Sequence, residues 1–381
     1  MSRAFEILSL ACLAWWCVSI LLHVGSAVLA ALRSSLQRQP VARADQPPVS
    51  LLIPIKQREP GLAAALASAF SQSYPRFEIL ISATERTSPA LDLARRVQVR
   101  YPAVPCRIIC SDNDLAASPK LNNLIAPLAG ADHDLIFVVD SNVRLHKTQM
   151  AEVVGQFGPG TGLIAAASVG CRPANFAAEI ECAFLNGYQS RLLLAAATLG
   201  WGFGNGKILL FDRRNFQKAG GVPAIAGAVA EDHALSKMLA RMGLRTVMAT
   251  SPATQFLGRR SFQQVWNRQL RWMVCRRVEE PLAFYLEPLL GALATTLAGA
   301  GAAPILGLPW WWIACATLAG WFLTEALFLT GKKWLPSAKA PAAWACRELL
   351  VPLLWIAAWR STVVSWNEIR IDVRKESVQR R

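Results

Sequence analysis

The sequence is poor in the residue patterns that build zinc sites and disulfide frameworks. Its 9 cysteines are scattered singly, no Cys-x-x-Cys pair occurs, and its 4 histidines lie away from the cysteines. A structural zinc site needs closely spaced ligands, and disulfide frameworks belong to oxidising compartments. We therefore expect neither feature, and we expect a chain that faces the reducing cytosol.

Acidic residues are also few, with 25 Asp and Glu against 40 Lys and Arg, which gives a formal net charge of +15 at pH 7. Such an excess favours an anionic partner, which can be nucleic acid, a lipid headgroup or a phosphorylated substrate. The chain contains no Lys- and Arg-rich run with interleaved aromatic residues, and many of its tryptophans cluster in apolar stretches. We therefore expect no nucleic-acid partner, and a membrane surface or a phosphorylated donor instead.

Charged residues are nearly absent from two long parts of the chain. Residues 7–32 are apolar, with His23 as the one ionisable side chain, and a run of this length can cross a bilayer. Three arginines between residues 33 and 43 follow it, whereas Arg3 alone precedes it. Because basic residues flank the cytoplasmic ends of spans, we predict a multi-pass protein of the inner cell membrane whose main domain is cytoplasmic.

The second such part, residues 288–331, has Glu325 as its one ionisable side chain. Its length predicts two spans that turn near residues 307–309, with the tryptophans at 310–312 at the membrane interface. We expect Glu325 to reach towards the nearby headgroups. A third apolar stretch at 349–359 is short, and we expect it to lie in the interface or to re-enter the membrane, with a full crossing as the alternative.

Between these parts, strand-like and helix-like runs alternate. The predicted strands are apolar runs at residues 49–53, 77–81, 106–110 and 135–139. The predicted helices lie at residues 62–70, 91–99 and 122–128. This alternation predicts an α/β domain with a mostly parallel central sheet. Ligands bind beyond the carboxyl ends of such strands, where this sequence has Lys56, Glu85 and Asp140.

The adjacent carboxylates Glu231 and Asp232 open a predicted helix that Gly243 closes. On its own, an acidic pair at a helix start is explained by the helix dipole and the free N–H groups there. Here, however, Asp140 precedes the pair, and a helix that carries Arg268 follows it. Two acidic motifs and a basic, aromatic helix in this order indicate a site for an anionic leaving group.

That basic helix is predicted at residues 261–277, where Arg268, Arg271 and Trp272 share one face because of their spacing. Arginines bind phosphate oxygens bidentately, which suits the neutralisation of a departing diphosphate. An amphipathic helix with its tryptophan on lipid and its arginines at the headgroups is an equally good interpretation. The two interpretations are compatible.

Transfer of a sugar from a nucleotide donor needs a base for the acceptor hydroxyl, a cation for the leaving diphosphate and contacts that orient the donor. A carboxylate near the carboxyl ends of the strands suits the role of the base. Asp140 with Asn142 could hold a divalent metal, Mg²⁺ or Mn²⁺, on the diphosphate through oxygen ligands. Asp-Ser-Asn is also ordinary turn chemistry, so the motif has a structural explanation as well.

The chain resembles the ceramide glucosyltransferase family, which includes bacterial hopanoid-associated glycosyltransferases. The similarity extends from about residue 51 to residue 366. The motifs that carry it are Tyr74-Pro75, Phe77-Glu78-Ile79-Leu80, Pro119-Lys120-Leu121-Asn122-Asn123-Leu124, Asp140-Ser141, Gly220-Gly221, Glu231-Asp232 and Arg268-x-x-Arg271-Trp272. The Pro-Lys-x-Asn-Asn-Leu string and the Arg-x-x-Arg-Trp helix are the most specific of these.

This resemblance implies a GT-A-type fold on the cytosolic face, a UDP-sugar donor, a lipid hydroxyl acceptor and transfer with inversion. It implies that Asp232 is the base and that Asp140 contacts the nucleotide diphosphate or its metal. The other residues it assigns are Glu231, Arg268, Arg271 and Trp272 on the acceptor and diphosphate side, and Pro54, Glu85, Lys120 and Asn123 in the nucleotide-sugar pocket. Lys120 and Asn123 also have a structural explanation, in which a helix begins there and the asparagine binds backbone.

Two positions depart from the family pattern. An aspartate usually follows the second strand and holds the uracil, and here Glu85 takes that position. The third residue of the Asp-x-Asp-like motif is the neutral Asn142, so one of the two predicted metal ligands is an amide oxygen.

We therefore predict a UDP-sugar-dependent lipid glycosyltransferase that adds one glucose or N-acetylglucosamine to a ceramide-like or hopanoid lipid. The alternatives are a processive polysaccharide synthase, a polyprenyl-phosphate sugar transferase and a non-catalytic lipid-binding or transport protein. The predicted parts are a transmembrane anchor with a basic flank (1–43), a cytosolic GT-A domain (44–279), and a C-terminal membrane region of two spans, a third apolar stretch and a basic tail (280–381).

Overall fold

The computed structural model describes residues 3–36, 45–56, 59, 61–361, 363–366 and 369–372. These residues form two compact units. The sheet unit comprises residues 34–172 and 196–258, and the helical unit comprises the residues up to 33, residues 173–195 and the residues from 259 onwards. The predicted basic tail lies outside the described residues. The predicted domain boundaries after residues 43 and 279 stay a prediction.

The strands are β1 (Val49–Pro54), β2 (Phe77–Ala83), β3 (Cys106–Cys110), β4 (Leu135–Val139), β5 (Val143–Arg144), β6 (Thr161–Ala165), β7 (Ser168–Pro173), β8 (Ile208–Asp212), β9 (Arg245–Met248), β10 (Ala253–Gly258), β11 (Val363–Trp366) and β12 (Ile369–Asp372). The α-helices are α1 (Arg3–Leu36), α2 (Leu62–Phe70), α3 (Pro89–Gln98), α4 (Pro119–Gly130), α5 (Gln149–Gly155), α6 (Phe176–Cys182), α7 (Arg191–Thr198), α8 (Arg213–Lys218), α9 (Gly221–Ile225), α10 (Glu231–Ala240), α11 (Phe262–Glu279), α12 (Pro281–Leu286), α13 (Ala292–Leu306), α14 (Trp310–Gly331) and α15 (Ala340–Arg360). A π-helical segment (Ala183–Ser190) joins α6 to α7, and a 3₁₀ segment (Glu287–Leu290) follows α12.

Within its described residues, the sheet unit is built on a seven-stranded sheet in the order β3-β2-β1-β4-β8-β6-β9. The first four of these strands are parallel, β8 is antiparallel to both β4 and β6, and β9 is parallel to β6. Every residue of β1 and β4 is buried, which explains their nearly continuous apolar sequences. The prediction of a mostly parallel sheet, with its first four strands in these places, is confirmed.

Helix α4 begins at Pro119, three residues before its predicted start. The side-chain oxygen of Ser118 accepts a hydrogen bond from the N–H of Leu121 at 3.3 Å. Pro119 occupies the first helical position, where the N–H that proline lacks would have no partner within the helix. This start places Lys120 in the first turn, from where its side chain reaches Asp140 at the end of β4.

In the described part of the helical unit, α1, α14 and α15 are each long and apolar enough to cross a membrane. Helix α13 has 15 residues and follows the Pro281–Leu290 segment after a bend of 57°. This geometry is that of one broken span or of a re-entrant segment. The predicted turn between α13 and α14 is confirmed. Gly307, with a φ of 64°, ends α13, and Pro309 precedes α14.

The expectation that Glu325 reaches the headgroups is wrong. Glu325 is 1% exposed and forms a bidentate ion pair with Arg347, with Nη1–Oε1 and Nη2–Oε2 distances of 2.7 and 2.8 Å. Nη2 of Arg347 also donates to Oε1 of Glu348 at 2.7 Å. A guanidinium at this distance compensates a buried carboxylate, so Glu325 has no need to reach water.

The helix that contains the third apolar stretch is longer than that stretch. Arg347 and Glu348 precede the apolar run at 349–359 in the sequence, but both lie inside α15, which has 21 residues. They do not end the helix because their charges are paired within the helical unit. Helix α15 is therefore long enough for the full crossing that was the alternative expectation.

Candidate active site

The end of β4 carries a cluster of opposite charges. Asp140 directly follows β4, and Lys207 directly precedes β8. These strands are antiparallel with Val139 opposite Ile208, so Asp140 and Lys207 lie side by side. The N–H of Asp140 donates to the carbonyl oxygen of Lys207 at 3.1 Å, and Nζ of Lys207 lies 2.5 Å from Oδ2 of Asp140.

Lys120 contacts the other oxygen of the same carboxylate. Its Nζ lies 2.6 Å from Oδ1 of Asp140 and 3.6 Å from Oε1 of Glu231, and it donates to the carbonyl oxygen of Gly206. Burial alone would raise the pKa of Asp140, but Lys120 and Lys207 outweigh it and hold this pKa far below its usual range. Burial likewise opposes the charge of Lys120, and Asp140 and Glu231 overcome it and raise the pKa of this lysine. Asp140 and Lys120 therefore stay charged near neutral pH.

The acidic pair opens α10, which confirms the predicted helix start. Glu231 is buried, and its Oε2 accepts a hydrogen bond from the hydroxyl of Ser118 at 2.8 Å. Asp232 accepts from two backbone N–H groups, that of His233 at 2.9 Å on Oδ1 and that of Gly206 at 2.5 Å on Oδ2. These hydrogen bonds fix the orientation of both carboxylates.

Burial raises the pKa of Glu231 and of Asp232 above the ordinary carboxyl values. The ammonium group of Lys120 opposes this shift for both residues, and the charge of Asp232 adds to it for Glu231. A carboxylate with a raised pKa is a better proton acceptor near neutral pH than an ordinary one. The environment of the pair therefore suits general base chemistry.

A loop at residues 200–206 packs against this pair through its glycines. A side chain on Gly204 would collide with the carbonyl oxygen of Asp232, and a Cβ on Gly206 would lie 3.0 Å from Oδ2 of Asp232. The loop backbone thus approaches α10 more closely than a larger residue would permit. This close approach is what brings the Gly206 N–H to the carboxylate.

The predicted metal ligands already contact ammonium groups. The two oxygens of Asp140 lie 2.6 and 2.5 Å from lysine nitrogens, and Oδ1 of Asn142 accepts from Lys207 at 3.2 Å. A divalent ion on these oxygens would lie close to both ammonium groups, and charges of like sign repel each other. Among the described residues, no group of three or more His, Cys, Asp or Glu side chains could hold a metal ion. In this arrangement the residues do not fit the predicted metal.

The other residues predicted for the nucleotide-sugar pocket also lie in the sheet unit. Pro54 is the buried last residue of β1, and Glu85 is exposed two positions beyond the end of β2. Asn123 is buried, and its Nδ2 donates to the carbonyl oxygen of Ile55 at 3.0 Å. This backbone contact agrees with the structural explanation of Asn123, so its contact to a donor stays a prediction.

The remaining predicted site residues lie in the helical unit, on α11. The guanidinium carbon of Arg268 is 4.8 Å from the ring centroid of Trp272, which confirms that the two side chains share a face. Arg268 also forms an ion pair with the buried Glu181. Arg271 is half-buried on the same helix.

The sequence patterns do not identify Lys207 and Gly206 as site residues, although the structure places both beside the predicted ones. One signal for them is present, since glycine recurs at every second position from 200 to 206, which indicates a backbone in close contact with another element. The contact of Lys207 with Asp140 joins residues 67 positions apart, and it depends on strand pairing that spacing does not show.

The sequence profile of glycosyl transferase family 21 matches residues 17–378. The chain belongs to this family. Ceramide glucosyltransferase 3 of Caenorhabditis elegans is 22% identical over 328 residues, which are 84% of this chain and 72% of that protein. The ceramide glucosyltransferase of Komagataella phaffii is 35% identical over 99 residues, which are 25% of this chain and 19% of that protein. The predicted resemblance to ceramide glucosyltransferases is therefore confirmed.

Among solved structures, this family 21 chain is similar to a mannosyltransferase from Pyrobaculum calidifontis in complex with GDP-Man and Mn²⁺. The TM-score is 0.55 at 17% sequence identity, and the match covers 91% of this chain and 98% of the mannosyltransferase. At this identity the likeness shows the fold, which is of the GT-A type. The predicted fold class is confirmed, and the chain is a glycosyltransferase whose described residues include three helices long and apolar enough to span a membrane.

Proposed function

We propose that this chain is a membrane-bound, inverting glycosyltransferase. It moves one sugar from UDP-glucose or UDP-N-acetylglucosamine to a hydroxyl of a ceramide-like or hopanoid lipid. The ceramide glucosyltransferases among its relatives support a lipid acceptor. The observation that supports this reaction is the environment of Asp232. Its carboxylate has a raised pKa, and two backbone N–H groups hold it beside the cluster of Asp140, Lys120 and Lys207.

Asp232 is the base of this proposal. The acceptor hydroxyl gives its proton to a carboxylate oxygen of Asp232 while the hydroxyl oxygen bonds to the anomeric carbon of the sugar. The bond from that carbon to the diphosphate oxygen breaks in the same step, and its electron pair leaves with UDP. Attack on the face opposite the leaving group inverts the anomeric centre. A positioned base contributes roughly 10²- to 10⁴-fold to such a step.

Asp140 and its lysines form the diphosphate side. Lys120 and Lys207 hold two positive charges at the end of β4, and charges fixed where negative charge develops stabilise a transition state. Lys120 also lies 3.6 Å from Glu231, so one ammonium group contacts both the diphosphate side and the acidic pair. The predicted Mg²⁺ or Mn²⁺ has no step in this mechanism.

We assign Trp272 of α11 to the acceptor side. Tryptophan has a large apolar ring with one polar N–H, which suits an acceptor that joins a polar head to an apolar tail. The remaining assignments are acceptor and diphosphate contacts for Glu231, Arg268, Arg271 and Trp272, and nucleotide-sugar contacts for Pro54, Glu85, Lys120 and Asn123.

We place the active site on the cytoplasmic side of the inner membrane. Three arginines between residues 33 and 43 follow the first span, and Arg3 alone precedes it. The division into an anchor (1–43), a GT-A domain (44–279) and a C-terminal membrane region (280–381) belongs to the same proposal.

The test uses the purified full-length protein in lipid nanodiscs. UDP-glucose, UDP-N-acetylglucosamine and UDP-glucuronate are each supplied with ceramide, hopanoid or diacylglycerol lipids, and the products are analysed by mass spectrometry. A parallel reaction supplies a polyprenyl phosphate as the acceptor. We expect one ceramide-like or hopanoid lipid to gain a single sugar mass with release of UDP. NMR of the product should show an anomeric configuration opposite to that of the donor.

A different product pattern would redirect the assignment. A ladder of sugar masses would identify a processive synthase, and a polyprenyl phosphate as the one acceptor would identify that class of transferase. If no donor gives transfer or UDP release, the proposal is wrong.

A further inference from the structure

The predicted divalent cation and two lysines compete for the same ligands. Each oxygen of Asp140 contacts its own ammonium group, Oδ1 that of Lys120 at 2.6 Å and Oδ2 that of Lys207 at 2.5 Å. The side-chain oxygen of Asn142 accepts from Lys207 at 3.2 Å. The side-chain oxygens that the Asp-Ser-Asn motif would offer to a metal at Asp140 and Asn142 therefore already bind lysine.

The fold itself sets the position of Lys207. The pairing of Val139 with Ile208 puts Lys207 opposite Asp140, and a backbone hydrogen bond of 3.1 Å joins these two residues. The side chains of Lys207 and Lys120 are 12% and 10% exposed. A charge this well covered needs a compensating partner, and Asp140 provides it for both lysines.

We propose that Lys207, together with Lys120, takes the place of the divalent cation, so that the two ammonium groups bind the diphosphate of the nucleotide donor without a metal. This inference rests on the proposed function, because it concerns the leaving group of the same reaction.

The chemistry of the two ammonium groups matches that task. Together they carry the same charge as one divalent ion, and each has three N–H donors for oxygen. Lysine is a compact charge on a flexible stem, so Lys207 can keep contact with Asp140 while it approaches a phosphate oxygen. When the bond between the anomeric carbon and the diphosphate oxygen breaks, the electron pair stays on that oxygen and the ammonium groups stabilise the added charge.

The test measures UDP binding to the full-length protein in detergent by isothermal titration calorimetry, once with EDTA and once with Mn²⁺. For the unmodified protein we expect dissociation constants that agree within about twofold between the two conditions. For Lys207→Met, which removes the charge and keeps most of the side-chain length, we expect binding at least about tenfold weaker in EDTA. Because this variant leaves Oδ2 of Asp140 without its ammonium partner, Mn²⁺ should restore part of the binding. Metal dependence should thus appear in the variant alone.

Two further variants separate the charge of Lys207 from general damage. Lys218→Met removes an exposed lysine at the end of α8 and should behave like the unmodified protein. Lys207→Arg keeps the positive charge and should bind UDP in EDTA. Thermal unfolding of each variant reports whether it folds. If Lys207→Met does not fold, UDP binding in EDTA to the unmodified protein and to Lys207→Arg tests the inference instead.

The outcomes distinguish this inference from the function on which it rests. If the unmodified protein binds UDP at least about tenfold more tightly with Mn²⁺ than with EDTA, the inference is overturned, and transfer to lipid would leave the proposed function intact. If UDP does not bind and no sugar is transferred under either condition, the proposed function fails and the inference fails with it.

Discussion

The backbone N–H of Gly206 donates a hydrogen bond to Oδ2 of Asp232 at 2.5 Å. The carbonyl oxygen of the same glycine accepts from Lys120, so a single residue contacts both the proposed base and a lysine of the diphosphate side. A Cβ at this position would lie 3.0 Å from Oδ2 of Asp232 and 3.0 Å from Nζ of Lys120. The placement of the base therefore depends on a residue without a side chain.

Gly206→Ala should lower the turnover rate because the added methyl group must displace Asp232 or Lys120. Displacements of this kind cost about 10- to 100-fold in rate when they move a reacting group. The measurement is kcat for lipid glycosylation, with thermal unfolding to show that the fold is kept. Gly158→Ala is the matched control, because a Cβ there meets nothing within 4 Å. Equal kcat values for the two variants would show that this contact does not position the base.

Asp232→Asn should reduce kcat by roughly 10²- to 10⁴-fold, since the amide cannot take the acceptor proton. UDP binding should persist, because the substitution leaves Asp140 and its lysines in place. The measurements are single-turnover transfer and UDP titration. Asp92→Asn, at a side chain that is 57% exposed in α3, is the control for loss of a carboxylate. Turnover at the normal rate in Asp232→Asn would remove Asp232 from the role of base.

The raised pKa of Asp232 predicts the pH range in which the enzyme loses activity. A base with a raised pKa takes up its proton at a higher pH, so kcat/KM should be full above that pKa and fall as the pH decreases through it. The acid limb should therefore lie above the ordinary carboxyl range. Glu231→Gln removes a neighbouring negative charge and should move the limb to lower pH. An acid limb at the ordinary aspartate pKa, unchanged in Glu231→Gln, would argue against this pair as the titrating group.

Arg347→Met should destabilise the helical unit, because it leaves the buried carboxylate of Glu325 without its partner. Loss of one member of a buried ion pair costs about 3–5 kcal/mol. Thermal unfolding in detergent measures the effect, and Arg360→Met at the exposed end of the same helix is the control. Adding Glu325→Gln to Arg347→Met should recover part of the loss. A double variant no more stable than Arg347→Met would mean that the unpaired charge is not the cause.

Local patterns in the sequence were sufficient for the strands β1 to β4 and for the start of α10. The runs that became β1 and β4 are apolar throughout most of their length because both faces are covered, and this composition is visible without the structure. The acidic first turn of α10 is likewise a local feature. Local physics therefore predicts these four strands and the position of the acidic pair.

The charges around these elements could not be predicted in the same way. The contact between Asp140 and Lys207 depends on the register of β4 against β8, and the pair of Glu325 with Arg347 joins two different helices. Without these partners, Asp-Ser-Asn looks like a metal motif and Glu325 like a residue that must reach water. In both cases the acidic residue is visible in the sequence, but the basic residue that compensates its charge is distant in the chain and cannot be identified from local patterns.

The helical unit contains residues 173–195, which come from the middle of the chain. Nη1 of Arg191 donates to the carbonyl oxygen of His23 on α1 at 2.9 Å, and Nη1 of Arg347 donates to that of Ala183 at 3.0 Å. A water-soluble enzyme cannot therefore be prepared by trimming the two ends of the chain, because the shortened protein would keep an internal segment whose partners had been deleted. During synthesis, the same interleaving delays completion of the helical unit until α15 has left the ribosome, long after α1.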